Sequence, residues 1–282
     1  MLVKGVFLVI TTTFALFQAS MANTSQVNKH HFVLVHGAAH GAWCWYEVET
    51  LLKSSGNQVT SLDLTACGIN PKHPDQVLSD SDLFEPLTEF MESLPVEEKV
   101  ILVGHSYTGS GIAMTMESFP NKIAVGVFVT ASMPGPSLSI AAIGVEARRG
   151  QPPRDEMDNV YGYENGPDKP PTSFRFGPKF LSANMYQLCS PEILTLATKL
   201  VRPVHLYKSD EPLLSDANYG SVRRAFVISH EDKVWRREIQ QWMIENNPPD
   251  IVKEIHGSDH MVMLSKPREL YNSFVEIAEY FA

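Results

Sequence analysis

A serine with a glycine on either side follows an apolar run in the first half of the chain. Val100–Val103 is apolar and rich in valine, and Gly104-His105-Ser106-Tyr107-Thr108-Gly109 follows it, ahead of a segment with helical spacing. A serine on a tight turn between a strand and a helix projects its hydroxyl above the sheet, where it can attack a carbonyl carbon. The usual spacing is G-x-S-x-G, but here Thr108 replaces the second glycine, so a helix-capping serine stays an alternative. We interpret Ser106 as a nucleophile.

Attack by a serine creates an oxyanion, which needs hydrogen-bond donors. The segment His36-Gly37-Ala38-Ala39-His40 follows the first apolar strand, which is where a loop N–H completes such a site. We expect the backbone N–H groups of Ala38 and Tyr107 to be the two donors. An ordinary turn between a strand and a helix is the alternative interpretation.

The serine also needs a base and an acid that orients the base, and on this architecture they follow it in the order Ser, Asp or Glu, His. Asp232 comes just after the apolar run Val222–Ile228. His256 and His260 both follow the last apolar run, and His260 is preferred because Gly257-Ser258-Asp259 gives it a loop that can reach back to the serine. His256 is the residue to exclude.

Short apolar runs alternate with longer segments of helical spacing from about residue 30 to residue 282. This alternation predicts an α/β fold with a mostly parallel sheet flanked by helices, because parallel strands need crossover helices. The predicted strands are Phe32–Val35, Gln58–Leu62, Val100–Val103, Ile123–Val129, Val222–Ile228 and Ile251–Ile255. The predicted helices are Trp43–Leu52, Leu83–Leu94, Ser110–Glu117, Glu238–Glu245 and Pro267–Tyr280.

The alternation breaks at about residues 134–215, which are punctuated by prolines and show no strand pattern. We predict an inserted lid, because long segments of this kind in a compact domain are usually functional covers or disordered. Its many Phe and Tyr residues argue against disorder. The spacing of Ile193, Leu194, Ala197, Leu200 and Val201 predicts one helix within it.

The composition excludes several classes of function. The chain has 282 residues, 44% of them hydrophobic, and a formal net charge of −9. An acidic chain without a basic stripe is a poor partner for nucleic acid or an anionic membrane. It has three cysteines, Cys44, Cys67 and Cys189. They lack the close pairing of a zinc site, and their odd number does not suit a disulfide framework, so we interpret them as buried thiols.

Residues 1–22 have the pattern of a secretory signal peptide: Lys4, an apolar run from Val6 to Phe17, then small residues. The mature chain would then begin near Asn23, a glycosylation acceptor, and the protein would be secreted or lie in the endoplasmic reticulum lumen. A start at Met21 is the alternative and gives a cytoplasmic protein.

Several segments resemble the plant methylesterase and hydroxynitrile lyase family of α/β-hydrolases, which includes polyneuridine aldehyde esterase and methyl salicylate esterases. They are His31-Phe32-Val33-Leu34-Val35-His36-Gly37-Ala38, Ala113-Met114-Thr115-Met116-Glu117, Phe176-Gly177-Pro178-Lys179-Phe180, Tyr186-Gln187-Leu188-Cys189-Ser190-Pro191-Glu192, Glu231-Asp232-Lys233, and Asp259-His260-Met261-Val262-Met263-Leu264-Ser265-Lys266-Pro267. The resemblance implies a triad of Ser106, Asp232 and His260, with oxyanion donors at Ala38 and Tyr107.

Two positions separate the esterases from the lyases in the family that the chain resembles. The lyases have Thr after the first-strand His and Lys after the triad His, whereas this chain has Gly37 and Met261. The resemblance therefore favours ester hydrolysis and implies that Met261 faces the substrate pocket. Gly68-Ile69-Asn70-Pro71 looks most like the branch that acts on alkaloid precursors.

We thus expect a serine carboxylesterase that cleaves a small methyl ester of a plant metabolite and needs no metal or organic cofactor. An indole-alkaloid precursor whose product decarboxylates after hydrolysis is a specific case. One alternative is a hydroxynitrile lyase or other lyase on the same fold. The other is a ligand receptor with slow chemistry, which is considered because Thr108 departs from the usual serine motif. No membrane span is expected, and a homodimer stays open.

Overall fold

The computed structural model describes residues 29–152, 155–207 and 212–281. The predicted signal segment and Asn23 lie outside these residues. Six strands form the main sheet: β1 His31–Val35, β2 Gln58–Leu62, β3 Val100–His105, β4 Ile123–Val129, β8 Arg223–Ser229 and β9 Ile251–Ile255. Seven longer helices are α1 Tyr46–Ser54, α2 Asp80–Ser93, α3 Thr108–Ser118, α4 Ile140–Arg148, α5 Pro191–Leu200, α6 Arg237–Asn246 and α7 Pro267–Phe281.

The six strands of the main sheet are all parallel, in the order β2-β1-β3-β4-β8-β9. The chain leaves β1 toward one edge of the sheet and returns on the other side of β1 as β3. Ligands bind outside the carboxyl ends of the strands where the strand order reverses in this way. The topology therefore places the candidate site after β1 and β3.

Helices cover both faces of the sheet, so its central strands are buried on both sides. All five residues of β1 are buried, and its side chains alternate between two apolar clusters: Phe32 and Leu34 enter one, and Val33 and Val35 the other. Strands buried on both faces have nearly continuous apolar sequences. The predicted α/β architecture, with a mostly parallel sheet between helices, is confirmed.

The segment 134–215 contains elements that the sequence pattern did not show. Besides α5, it contains α4 and a three-stranded antiparallel sheet of β5 Val160–Gly162, β6 Ser173–Arg175 and β7 Val204–His205. These strands left no pattern in the sequence, because strands of two or three residues are too short to show alternation. Pro178–Phe180 and Leu181–Met185 form a further short helical segment.

The described residues also contain short helical turns at Ala42–Trp45, Pro74–Gln76, Pro120–Lys122, Tyr219–Ser221 and Val262–Ser265. The predicted helix Trp43–Leu52 is thus divided between such a turn and α1. Within the described residues, no helix has the length and apolar character that a membrane span requires.

Candidate active site

Ser106 stands on the turn between β3 and α3 in a strained conformation. Its φ is 58°, in the left-handed region that residues with a side chain rarely adopt. The backbone amides of Gly109 and Ser132 hold the turn by donating to the carbonyl oxygen of Ser106, at 3.2 and 3.1 Å. Strain of this kind persists only where surrounding contacts fix it, and it is common at catalytic residues.

The residue of this turn that must be a glycine is Gly109. A β-carbon at Gly109 would lie 1.8 Å from the carbonyl oxygen of Ser132, so the start of α3 approaches the end of β4 too closely for a side chain. Thr108 has room: it is fully buried, and its hydroxyl donates to the carbonyl of His36. Thr108 therefore ties the serine turn to the loop after β1 and does not crowd it.

The structure brings Ser106, His260 and Asp232 together in one chain of hydrogen bonds. His260 Nε2 lies 3.0 Å from Ser106 Oγ, and His260 Nδ1 lies 2.7 Å from Asp232 Oδ2. All three side chains are buried. With the Nδ1 proton on the carboxylate side, Nε2 can accept the serine proton, which is the arrangement that activates a serine nucleophile.

Asp232 is fixed by three donors besides His260. The amides of Val234 and Trp235 donate to Oδ1 at 2.6 and 3.0 Å, and the hydroxyl of Thr130 donates to Oδ2. Thr130 is fully buried at the carboxyl end of β4, the strand beside β8. Sequence reasoning missed Thr130: a polar residue directly after an apolar strand marks the position, but nothing in one sequence pairs it with Asp232.

His256 lies in a different environment from His260. Its exposed ring contacts that of His230 at a centroid distance of 3.7 Å, and His230 bonds to Glu254. The ligand atoms of these three residues lie within 4.8 Å of one another, which is compatible with a metal ion. Glu254 is already shared between His230 and Arg237. This cluster is separate from the serine site.

The loop that carries His260 is held by the buried carboxylate of Asp259. Its oxygens accept from the amides of Leu188, at 2.8 Å, and Met261, at 3.0 Å. Burial raises the pKa of Asp259. Since Leu188 belongs to the segment 134–215, this contact joins that segment to the loop of the candidate base.

The loop after β1 is fixed by His40. Burial lowers the pKa of His40 to about 3, so its ring is neutral. Burial also raises the pKa of Tyr186, whose hydroxyl donates to His40 Nε2 at 2.6 Å. His40 Nδ1 in turn donates to the carbonyl oxygen of Ala38 at 2.8 Å. A hydrogen-bond relay from the segment 134–215 therefore orients the peptide units around Ala38.

A second buried histidine supports the base. His105 Nε2 donates to the backbone carbonyl of His260 at 2.8 Å, and the two rings lie 4.7 Å apart. Burial lowers the pKa of His105 well below its usual value, and repulsion from His260 adds to this effect. A neutral His105 positions the His260 backbone without adding a charge beside it.

A cavity of about 270 Å³ opens beside the turn between β3 and α3. Gly37, Ala38 and Tyr107 lie on its wall together with residues of the segment 134–215. The wall contributed by that segment consists of Phe174, Pro203, Val204, His205, Leu206 and Tyr207. The lining is predominantly apolar, which is typical of small-molecule sites. Both expected oxyanion donors thus belong to residues that border this space.

Met261 is fully buried directly after the candidate base. Its side chain lies in the same apolar cluster as Met185, and the helix Val262–Ser265 begins directly after it. The described residues that line the cavity include neither Met261 nor Ser106 and His260 themselves. The pocket role of Met261 that the resemblance implied therefore stays a prediction.

Cys44 has no nucleophilic character. It is fully buried, and burial raises the pKa of its thiol far above neutrality. A thiol must ionise to act as a nucleophile. This agrees with the interpretation of Cys44 as a structural thiol.

The chain is similar to known proteins over most of its length. Residues 32–273 match the model of the alpha/beta hydrolase family. Methyl jasmonate esterase 1 of Vitis vinifera is 47% identical over 258 residues, covering 90% of this chain and 98% of that protein. Polyneuridine aldehyde esterase of Rauvolfia serpentina is 42% identical over 264 residues, covering 92% and 99%. A variant of tomato methylketone synthase I in complex with beta-ketoheptanoate has a TM-score of 0.84 and 49% identity, covering 90% and 99%.

Proposed function

This chain belongs to the alpha/beta hydrolase family and is a carboxylic ester hydrolase, and we propose that it cleaves the methyl ester of a small plant metabolite with Ser106 as nucleophile, His260 as base and Asp232 as the acid that orients the base. The hydrogen-bonded chain of these three side chains beside an apolar cavity is the observation that carries the proposal. The relatives that are named as a methyl jasmonate esterase and a methylesterase support methanol as the leaving group.

The proposed reaction has two half-steps. Ser106 Oγ attacks the ester carbonyl while His260 Nε2 takes its proton, and the amides of Ala38 and Tyr107 stabilise the oxyanion. His260 then returns the proton to the departing methanol, which leaves an acyl group on Ser106. His260 then takes a proton from water, the resulting hydroxide adds to the acyl carbon, and the bond from that carbon to Ser106 Oγ breaks. The proton passes from His260 to Oγ, which releases the acid and restores the serine.

Gly37 supports ester hydrolysis over cyanohydrin cleavage. A β-carbon at this position would lie 2.8 Å from His105 Nδ1 and 2.9 Å from the β-carbon of Ser106. The Thr that the lyases carry there does not fit this backbone. The close approach of the two loops that Gly37 permits brings Ala38 beside Ser106.

Methanol release from a panel of methyl esters tests the proposal. Replacement of the nucleophile, Ser106→Ala, should lower turnover by roughly 10⁴- to 10⁶-fold, because the three residues act as a unit. Ser118→Ala, an exposed serine at the other end of α3, is the matched control and should keep wild-type turnover. Unchanged methanol release by Ser106→Ala would exclude the mechanism. Cyanide from a cyanohydrin without methanol would identify a lyase, and tight ligand binding with no turnover a receptor.

Loss of CO₂ after hydrolysis is a second candidate step, favoured by the β-keto ligand of the tomato relative. Hydrolysis of a β-oxo methyl ester gives methanol and a β-oxo acid. Its carbon–carbon bond to the carboxylate then breaks, CO₂ leaves with the electron pair passing to the adjacent carbon, and that carbon gains a proton. Mass spectrometry separates the outcomes, because decarboxylation gives a ketone or aldehyde and simple hydrolysis leaves the acid.

The homodimer stays a prediction about assembly. Light scattering should then give twice the chain mass of 31.5 kDa, less any segment removed in processing. A mass of one chain would contradict it.

A further inference from the structure

Thr65 is a buried polar residue on the wall of the cavity. Only 1% of the residue is exposed, and its hydroxyl has no hydrogen-bond partner among the residues that the structure describes. The same residue lines the cavity that Ala38 and Tyr107 border. A buried hydroxyl without a partner is destabilising, so a position of this kind calls for an explanation.

The other hydroxyl groups on the cavity wall form hydrogen bonds within the protein, and so does one ring nitrogen of His205. Tyr107 and Tyr207 both donate to Asp80 Oδ1, at 2.7 and 2.8 Å. The hydroxyl of Thr108 and the Nδ1 of His205 each bond to a backbone carbonyl. Among the hydroxyl groups of the described lining residues, that of Thr65 is therefore the one without a partner in the protein.

The backbone around Thr65 is fixed. Its N–H donates to the carbonyl of Leu83 at 3.1 Å, and the preceding amide, of Leu64, donates to His36 Nε2 at 3.1 Å. One residue earlier, Asp63 accepts from the amide of Ala42 at 2.7 Å. A donor on a rigid segment loses little conformational freedom when it binds a ligand, so it can discriminate between ligands.

We propose that Thr65 forms a subsite for an oxygen acceptor in the acyl part of the substrate. This inference rests on the proposed function and narrows it: the preferred substrates are methyl esters whose apolar acyl group carries a ketone, aldehyde or ether oxygen. The substrate oxygen accepts a hydrogen bond from the hydroxyl of Thr65, while the apolar walls contact the rest of the acyl chain. An acyl group without such an oxygen leaves the hydroxyl unpaired and loses part of the affinity.

A set of matched esters tests the subsite: methyl octanoate and its 4-, 5-, 6- and 7-oxo derivatives, which place a ketone at successive positions. The measured quantity is the ratio of kcat/KM for each oxo ester to that of methyl octanoate. We expect at least one oxo position to raise this ratio in the wild type. Thr65→Val should lower the raised ratio about tenfold, since one neutral hydrogen bond is lost, and Thr65→Ser should restore it.

Thr115→Val is the control, because Thr115 is also buried but bonds within α3, at the carbonyl of Gly111. It should keep the wild-type ratio. Calorimetric binding of the same esters to Ser106→Ala protein, with and without Thr65→Val, separates the two proposals. If Ser106→Ala protein binds oxo esters preferentially but the wild type hydrolyses none of the esters, the proposed function is overturned and the subsite is kept. Hydrolysis with ratios unaffected by Thr65→Val at every oxo position would overturn the subsite.

Discussion

At the scale of single residues, the candidate site depends on side chains that come from distant parts of the chain. The spacing and order of Ser106, Asp232 and His260 made them predictable, because each follows an apolar strand. Thr130 and His105 were not predictable as partners, because their contacts with Asp232 and His260 join residues more than 100 positions apart. A single sequence carries no signal for such pairings.

Thr130 should affect catalysis through Asp232. Thr130→Val removes the hydroxyl that donates to Asp232 Oδ2 and should lower kcat about tenfold, since a hydrogen bond to a charged group is lost. KM should change little, because Thr130 is not among the described residues on the cavity wall. Steady-state kinetics of Thr130→Val and Thr130→Ser measure this, and Ser should recover most of the activity. Equal kcat values in Val and wild type would contradict the positioning role.

At the scale of elements, the turn between β3 and α3, which carries Ser106, is held by a close approach between two backbones. The sequence predicted the strand, the turn and the helix, but it put the glycine requirement at position 108. The actual constraint is the contact between Gly109 and the backbone of Ser132, which is 23 residues further along the chain. Close approach between two backbones depends on the packed structure, so the local motif could not reveal it.

Gly109→Ala should destabilise the protein by about 3 kcal/mol, because the new methyl group overlaps the Ser132 carbonyl and the backbone must move. Gly144→Ala is the matched control inside α4, where the nearest atom to a β-carbon is Arg148 Nη1 at 3.5 Å. That change should stabilise the protein by about 0.5–1 kcal/mol through helix propensity. Urea unfolding measures both. The same sign for the two variants would argue against the close contact at the turn between β3 and α3.

In the segment 134–215, apolar spacing predicted only part of the secondary structure. Its helix α5 was predicted from apolar spacing, whereas β5, β6 and β7 were not, because each has only two or three residues. The proposed role of this segment as a lid rests on its position: it contributes part of the cavity wall, and it holds the catalytic loops through Tyr186 and Leu188.

At the scale of the whole molecule, three fully buried histidines link stability to pH. Burial lowers the pKa values of His36, His40 and His105 below the usual 6.5. Below pH 6.5 the unfolded chain binds protons at these rings, whereas the folded chain binds them only at lower pH, because burial lowers the three pKa values. The stability contributed by the neutral rings is therefore complete above pH 6.5 and is lost as pH falls below it.

The contribution of a single histidine can be measured at His40, because the pKa of His40 in the folded protein is about 3. As pH falls from 6 to 4.5, His40 should therefore lower the free energy of unfolding by about 1.4 kcal/mol per pH unit. His40→Gln should reduce the slope of stability against pH by that amount, although its stability at pH 7.5 should fall because the relay to Ala38 is altered. Urea unfolding at several pH values gives both slopes, and identical slopes would show that His40 is not buried in its neutral form.

The central claim is that methyl-ester hydrolysis proceeds through Ser106, and progressive labelling tests it most directly. The protein is treated with a fluorophosphonate, and at each extent of labelling the rate of methanol release and the labelled peptide are measured together. We predict that methanol release falls in direct proportion to labelling and reaches zero at one phosphonate per chain, attached to Ser106. Methanol release that persists when Ser106 is fully labelled, or a label on another residue that abolishes it, would contradict the account.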